Sequence, residues 1–134
     1  LAVIEPELPF IDCLFYDLKI MNEKEHLHWT GVSNKIILEN LTRLSRKKQK
    51  VVVRVPLIKG INDDEPNIQE MADFLKKKTN VVDIHLLIYH SGWTSKVNRL
   101  GKFNLEKFES PSTSRIQEIK ATLEERGFVV KVGG

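Results

Sequence analysis

The sequence predicts an α/β fold built on parallel strands, and three observations predict it. Nearly continuous apolar runs recur at 11–18, 51–55 and 84–89, helical stripes lie between them, and turn-forming residues stand at the junctions. Runs of that length and β-branched, aromatic composition suit strands covered on both faces. Between the first two, Ile37, Leu41 and Leu44 recur at helical spacing behind Ser33, whose hydroxyl can accept a backbone N–H at the helix start. Between the second and third, Ile68, Met71, Ala72 and Leu75 form an i, i+3, i+4, i+7 stripe. Asp63, Asp64 and Glu65 stand at the positive end of its dipole, and Pro66 occupies the first turn, where its missing donor has no partner to lose. A third helix fits 114–126: Ser114 and Gln117 can form a capping box, Ile116, Ile119 and Leu123 face inward, and Gly127 can terminate it. Residues 129–132 can add a final short strand. This alternation is a series of right-handed crossovers, so the strands lie parallel and adjacent. Helices on one side of three strands leave an arc with unpaired edges. The chain therefore reads as part of a larger barrel, or as one that pairs those edges in a homodimer.

Composition bounds the rest. The 134 residues, 41% hydrophobic and 29% charged, bury one core rather than two, so 1–134 is expected to be a single segment. A net charge of +3 is no dense basic field, and no nucleic-acid partner is expected. No apolar run approaches the roughly 20 residues of a membrane span. A single cysteine, Cys13, excludes an intrachain disulfide framework and a closed thiolate metal cage, and the expected compartment is the reducing cytoplasm. Leu1 stands where an initiator methionine would, which suggests a piece of a longer chain.

In parallel α/β folds ligands sit beyond the carboxyl ends of the strands, so the candidate site residues are those at these ends. The ends carry Asp17 and Lys19, the stretch 56–62, and His90 within Tyr89-His90-Ser91-Gly92. Asp17 and Lys19 are two apart, hence on one face of an extended chain. Desolvating such a pair is costly unless each charge finds a partner, which is either the other member or a polar ligand. Arg54 interrupts an apolar strand, and its guanidinium must reach a carboxylate, a carbonyl or a ligand; a buried pair with Asp17 is the structural alternative. His90 can meet a heterocycle or simply cap a loop. Elsewhere, Cys13 reads as a packed core residue, His26 and His28 lack further ligands for a metal, and Trp29 and Trp93 fall in loops. The basic runs Arg46-Lys47-Lys48 and Lys76-Lys77-Lys78 suit solvated helix C-termini.

Four words stand in order along these elements: Tyr16-Asp17-Leu18-Lys19-Ile20-Met21, Thr30-Gly31-Val32-Ser33-Asn34, the stretch from Val53 through Arg54, Gly60 and Asn62 to Asp63, and Leu87-Ile88-Tyr89-His90. Together they resemble the glycyl-radical-enzyme activating enzymes, the pyruvate formate-lyase activating group of the radical S-adenosylmethionine superfamily, from about Asp12 to Gly134. The resemblance implies the C-terminal half of a partial (β/α)6 TIM-like barrel, with the cluster-binding N-terminal half absent. It implies a [4Fe-4S] cluster and S-adenosylmethionine in the intact protein, reductive cleavage to a 5′-deoxyadenosyl radical, and hydrogen abstraction from a glycine of a partner enzyme such as pyruvate formate-lyase. A flavodoxin or ferredoxin electron donor follows from the same likeness. Carried over by position, Asp17, Lys19, Arg54 and His90 are cofactor-binding residues that position rather than perform the chemistry. The family's three cluster cysteines and its Gly-Gly-Glu word have no counterpart here, so the chain alone is expected to be inactive. Lys59 stands where proline is usual, and Ile88 where Leu-Pro-Tyr-His is common. The alternative is a non-catalytic binding module derived from the same fold.

Overall fold

A computed structural model describes residues 13–47, 50–88 and 109–133. Four strands, β1 (Cys13–Asp17), β2 (Lys50–Leu57), β3 (Asp83–Ile88) and β4 (Val129–Val132), form one sheet in the order β1-β2-β3-β4 with every pairing parallel. The helices are α1 (Glu23–Thr30), α2 (Lys35–Ser45), α3 (Glu65–Lys78) and α4 (Thr113–Glu125). The expected parallel α/β arc is therefore present, with the short final strand in place. No helix among the described residues is long and apolar enough to cross a membrane.

The core lies on one face of the sheet. Val51, Val53, Val55 and Leu57 of β2, Ile84 and Leu86 of β3 and Val130 of β4 point toward it, and the apolar stripes of α2, α3 and α4 close over them. Every second strand residue faces the other way, and there coverage is uneven. Val52 of β2 and Leu87 of β3 are buried on that face too, as expected, whereas Phe15 of β1 is 54% and Val129 of β4 61% exposed. The continuous apolar runs thus belong to the central strands, and the exposed side chains to the outer ones. Cys13 belongs to that face too and is half-buried rather than a core residue.

Local chemistry sets the element ends. Asp64 caps α3 by accepting from the Asn67 N–H, with Pro66 in the first turn. Ser33 Oγ accepts from the Lys35 N–H at 3.2 Å, as the sequence led one to expect for α2. For α4 the expected capping box gives way to Ser112, which accepts from the Arg115 N–H at 3.1 Å, so the helix starts one residue before Ser114. Ser112 follows Pro111 in extended backbone, the conformation an N-cap requires. Helix α1 was not legible as a stripe: its caps define it, with Asn22 accepting from Glu25 N–H and Gly31 at φ 82° ending it. Trp29 therefore lies on a helix rather than in a loop, while Trp93 lies outside the described residues.

Pro56 sits inside a central strand, where its missing N–H would ordinarily break a ladder. The ladder to β1 has already ended there: Asp17 pairs with Arg54, and Leu18 N–H donates to the Arg54 carbonyl at 2.9 Å as the last rung. The Pro56 carbonyl is instead taken by Asn62 Nδ2 at 2.7 Å. Asn62 is fully buried, accepts from the Ile58 N–H at 2.8 Å, and donates also to the Lys19 carbonyl at 3.3 Å. Lys59-Gly60 makes the turn between them, with Gly60 at φ 78° and Ile61 N–H returning to the Ile58 carbonyl. Replacing Asn62 by alanine removes the partner of the Ile58 N–H and of the Pro56 carbonyl, while the Lys19 carbonyl keeps its bond from Asn67 Nδ2. The Asn62→Ala chain is expected to lose about 2–3 kcal/mol of stability, read as a lower urea midpoint with unchanged m-value.

Candidate functional site at the carboxyl ends of the strands

The carboxyl end of β1 opens onto a groove of about 380 Å³ lined by Phe15, Asp17, Lys19, His26, Asn34 and Arg54, among others. Three of the four residues singled out in the sequence thus share one hollow. His90 lies outside the described residues. Asp17 is the last residue of β1, and its register partner on β2 is Arg54. Arg54 Nε donates to Asp17 Oδ1 at 2.8 Å, and both side chains are about two-fifths exposed, at 39% and 44%. The pair is therefore not the buried bridge considered above but a rim contact, and an exposed pair contributes roughly 0–1 kcal/mol. So small a contribution does not explain an arginine in this strand, whereas a ligand at the rim would. The guanidinium carbon also stands 5.4 Å from the centre of the Phe15 ring, a cation–π arrangement that fixes its plane.

Lys19 follows two residues after the strand ends, on a segment held from three sides. Asn62 Nδ2 and Asn67 Nδ2 each donate to the Lys19 carbonyl at 3.3 Å, Asn67 Oδ1 accepts from the Met21 N–H at 2.8 Å, and Asn34 Nδ2 donates to the carbonyls of Ile20 and Met21 at 3.1 and 2.8 Å. Three buried amides from three different segments converge on residues 19–21. The sequence reading missed this, although Asn34 and Asn62 stand inside the quoted words. Their signal was a polar amide beside Val-Ser and Gly-Ile, too common to single out without the partner segments.

His26 also departs from expectation. It is on a helix but buried, and its Nδ1–H donates to the Val32 carbonyl at 2.7 Å, with Thr30 Oγ1 at 3.0 Å. The carbonyl can only accept, so Nδ1 carries a proton. Among the described residues no group of three or more His, Cys, Asp or Glu is placed to hold a metal.

Sequence and structure comparisons identify the relatives of this chain. It is 36% identical over 126 residues to the trans-4-hydroxy-L-proline dehydratase activating enzyme of Clostridioides difficile, a match that spans 92% of this chain and 41% of that protein. It is 32% identical over 129 residues to the pyruvate formate-lyase 1-activating enzyme of Escherichia coli, spanning 96% of this chain and 52% of that protein. The chain belongs to the glycyl-radical-enzyme activating enzymes. No family model matches it. A crystal structure of a domain of pyruvate-formate lyase-activating enzyme from Bacteroides vulgatus superposes with a TM-score of 0.80 at 28% identity, covering 99% of this chain and 74% of that one. The chain spans about half the length of the curated activating enzymes it matches. Its sheet is accordingly the four-stranded arc of a partial radical S-adenosylmethionine TIM-like barrel.

Tested against the cofactors of that activating-enzyme family, the residues divide. Asp17, Lys19 and Arg54 offer the carboxylate and cations that a zwitterionic sulfonium nucleoside needs. A [4Fe-4S] cluster does not fit them: it needs several thiolates, and the single cysteine, Cys13, begins β1 about 13 Å of strand away from Asp17.

Burial pulls the Lys19 ammonium below its ordinary value of 10.5, opposed by the negative charge of Asp17. Between the folded-state value and 10.5 the unfolded chain holds the extra proton, so this lysine makes stability rise with pH across that window. A 13C titration of the Lys19 ε-carbon is expected to show a midpoint below 10.5, and in Asp17→Asn a lower one still. A midpoint at or above 10.5 would mean a fully solvated ammonium.

Proposed function

We propose that the chain is the carboxyl-terminal part of a radical S-adenosylmethionine activating enzyme and supplies the half of the barrel that positions the nucleoside. In the intact protein, S-adenosylmethionine bound at a [4Fe-4S] cluster supplies reductive cleavage and abstraction of a hydrogen from a glycine of a partner glycyl-radical enzyme, such as pyruvate formate-lyase. Everything this chain contributes is binding and orientation. Asp17 Oδ2 accepts hydrogen bonds from the amine or from ribose hydroxyls, while the terminal nitrogens of Arg54 and the Lys19 ammonium balance the carboxylate. The partial desolvation of Lys19 strengthens that contact, because a poorly hydrated cation gains more from an anion than one in bulk water. His90 takes the adenine side. The cluster and its cysteines belong to the part of the parent protein outside these residues, the reductant is a flavodoxin or ferredoxin, and the compartment is the cytoplasm. By itself the chain does not turn over.

The observation that carries this reading is the convergence of Asp17, Lys19 and Arg54 on one groove at the carboxyl ends of parallel strands, in a chain whose homologues are activating enzymes. Titration of the 15N-labelled chain with S-adenosylmethionine tests it. Binding is expected with Kd of about 1 mM or weaker, since the chelating iron is lacking, with shift changes concentrated at 15–20, 54 and 90 and abolished in Asp17→Asn/Arg54→Met. Shifts confined to the amino ends of the strands, or binding indifferent to that double substitution, would refute it.

A further inference from the structure

The parallel register sets one residue from each strand side by side on the sheet face opposite the helices: Asp17 opposite Arg54, Arg54 opposite His85, and His85 opposite Lys131. Neighbouring strands are about 4.8 Å apart, so these side chains stand as a continuous transverse row. Only its first two members satisfy each other. Among the described residues the ring nitrogens of His85 and the ammonium of Lys131 have no hydrogen-bond or ion-pair partner, and Arg54 uses Nε alone on Asp17. Beneath this row the register places Phe15, Val52, Asp83 and Val129, apolar but for Asp83, whose carboxylate bridges to Lys50 at 3.7 Å. Phe15 joins the rows: its ring lies 5.9 Å from that of His85, and Arg54 stands over it. A row of donors thus adjoins an exposed aromatic and an exposed valine.

We propose that His85 and Lys131 form a specificity ledge for an acidic side chain on the partner protein segment that enters this face. The inference rests on the reading of the partner as a protein, given above, and extends it to residues the family resemblance does not assign. Two unneutralised donors at the β3–β4 side, with Arg54 completing the row, attract a negative charge. Asp17 on one flank and Asp83 below limit that charge to one, which favours a carboxylate over a dianionic phosphate or a nucleic acid. The apolar row beneath makes the occupant an extended peptide with an apolar residue next to the acid, because a free small acid would leave Phe15 and Val129 uncovered.

The test uses the full chain and two N-acetylated, C-amidated heptapeptides, one with a glutamate between phenylalanine and glycine and one with glutamine in that place. The glutamate peptide is expected to bind at least about five-fold tighter at low salt, with the ratio falling toward one in Lys131→Met and in His85→Leu. Neither position belongs to the aliphatic core, and Lys131→Gln and His85→Gln replace any variant whose circular dichroism departs from the parent. Equal binding of the two peptides, no binding of either, a ratio unchanged in the variants, or displacement by equimolar inorganic phosphate would each overturn the proposal. S-adenosylmethionine titration of Lys131→Met separates the two readings. Peptide discrimination without nucleoside binding in the parent chain removes the cofactor assignment and leaves the ledge, while nucleoside binding without peptide discrimination does the reverse.

Discussion

Three asparagine side chains hold the backbone of residues 19–21, and the candidate site depends on them. A parallel strand has no ladder beyond its last rung, so the chain leaving β1 would carry bare carbonyls into a partly buried region. Each such group left unpaired costs about 1–3 kcal/mol. Asn34, Asn62 and Asn67 meet those carbonyls from the start of α2, the turn after β2 and the first turn of α3. Amides suit the task because each carries donors and an acceptor without charge. Asn62 uses both ends, tying Pro56, Ile58 and Lys19 into one unit. The same bonds that close the end of the sheet therefore hold the backbone of Lys19, whose side chain lines the groove.

The two faces of the sheet divide the labour. One is sealed by α2, α3 and α4 over a continuous aliphatic core and accounts for stability. The other carries charges, an aromatic ring and half-exposed polar groups that contribute little to holding the fold together, which frees those positions for recognition. The Arg54–Asp17 contact illustrates the division: at the rim its energetic contribution is minor, yet it engages only Nε of a guanidinium that stands beside Phe15.

Much of this was legible in the sequence. Strand and helix order, the capping of α3, the stop at Gly127 and the gathering of Asp17, Lys19 and Arg54 at strand ends followed from periodicity, dipoles and the placement of charges in apolar runs. Where the reading failed, a local rule met a nonlocal one. The α4 start moved from Ser114 to Ser112 because both are serines and only the path after Pro111 selects between them. The family resemblance places His26 on a surface helix, but the turn at Gly31 brings the Val32 carbonyl back against its ring.

The sequence by itself determined a parallel α/β segment and the polar residues at its strand ends, because helical and strand periods, caps and turns depend on neighbours within about two turns of chain. Only the tertiary structure decided that Asn67 would reach Met21 across 46 positions, that Phe15 and Val129 would be exposed on the face opposite the helices, and that Asp17, Arg54, His85 and Lys131 would fall into one row. Those facts follow from strand register. Shifting any strand by one residue would send its side chains to the opposite face, and no local stretch of sequence encodes the partner against which that register is set.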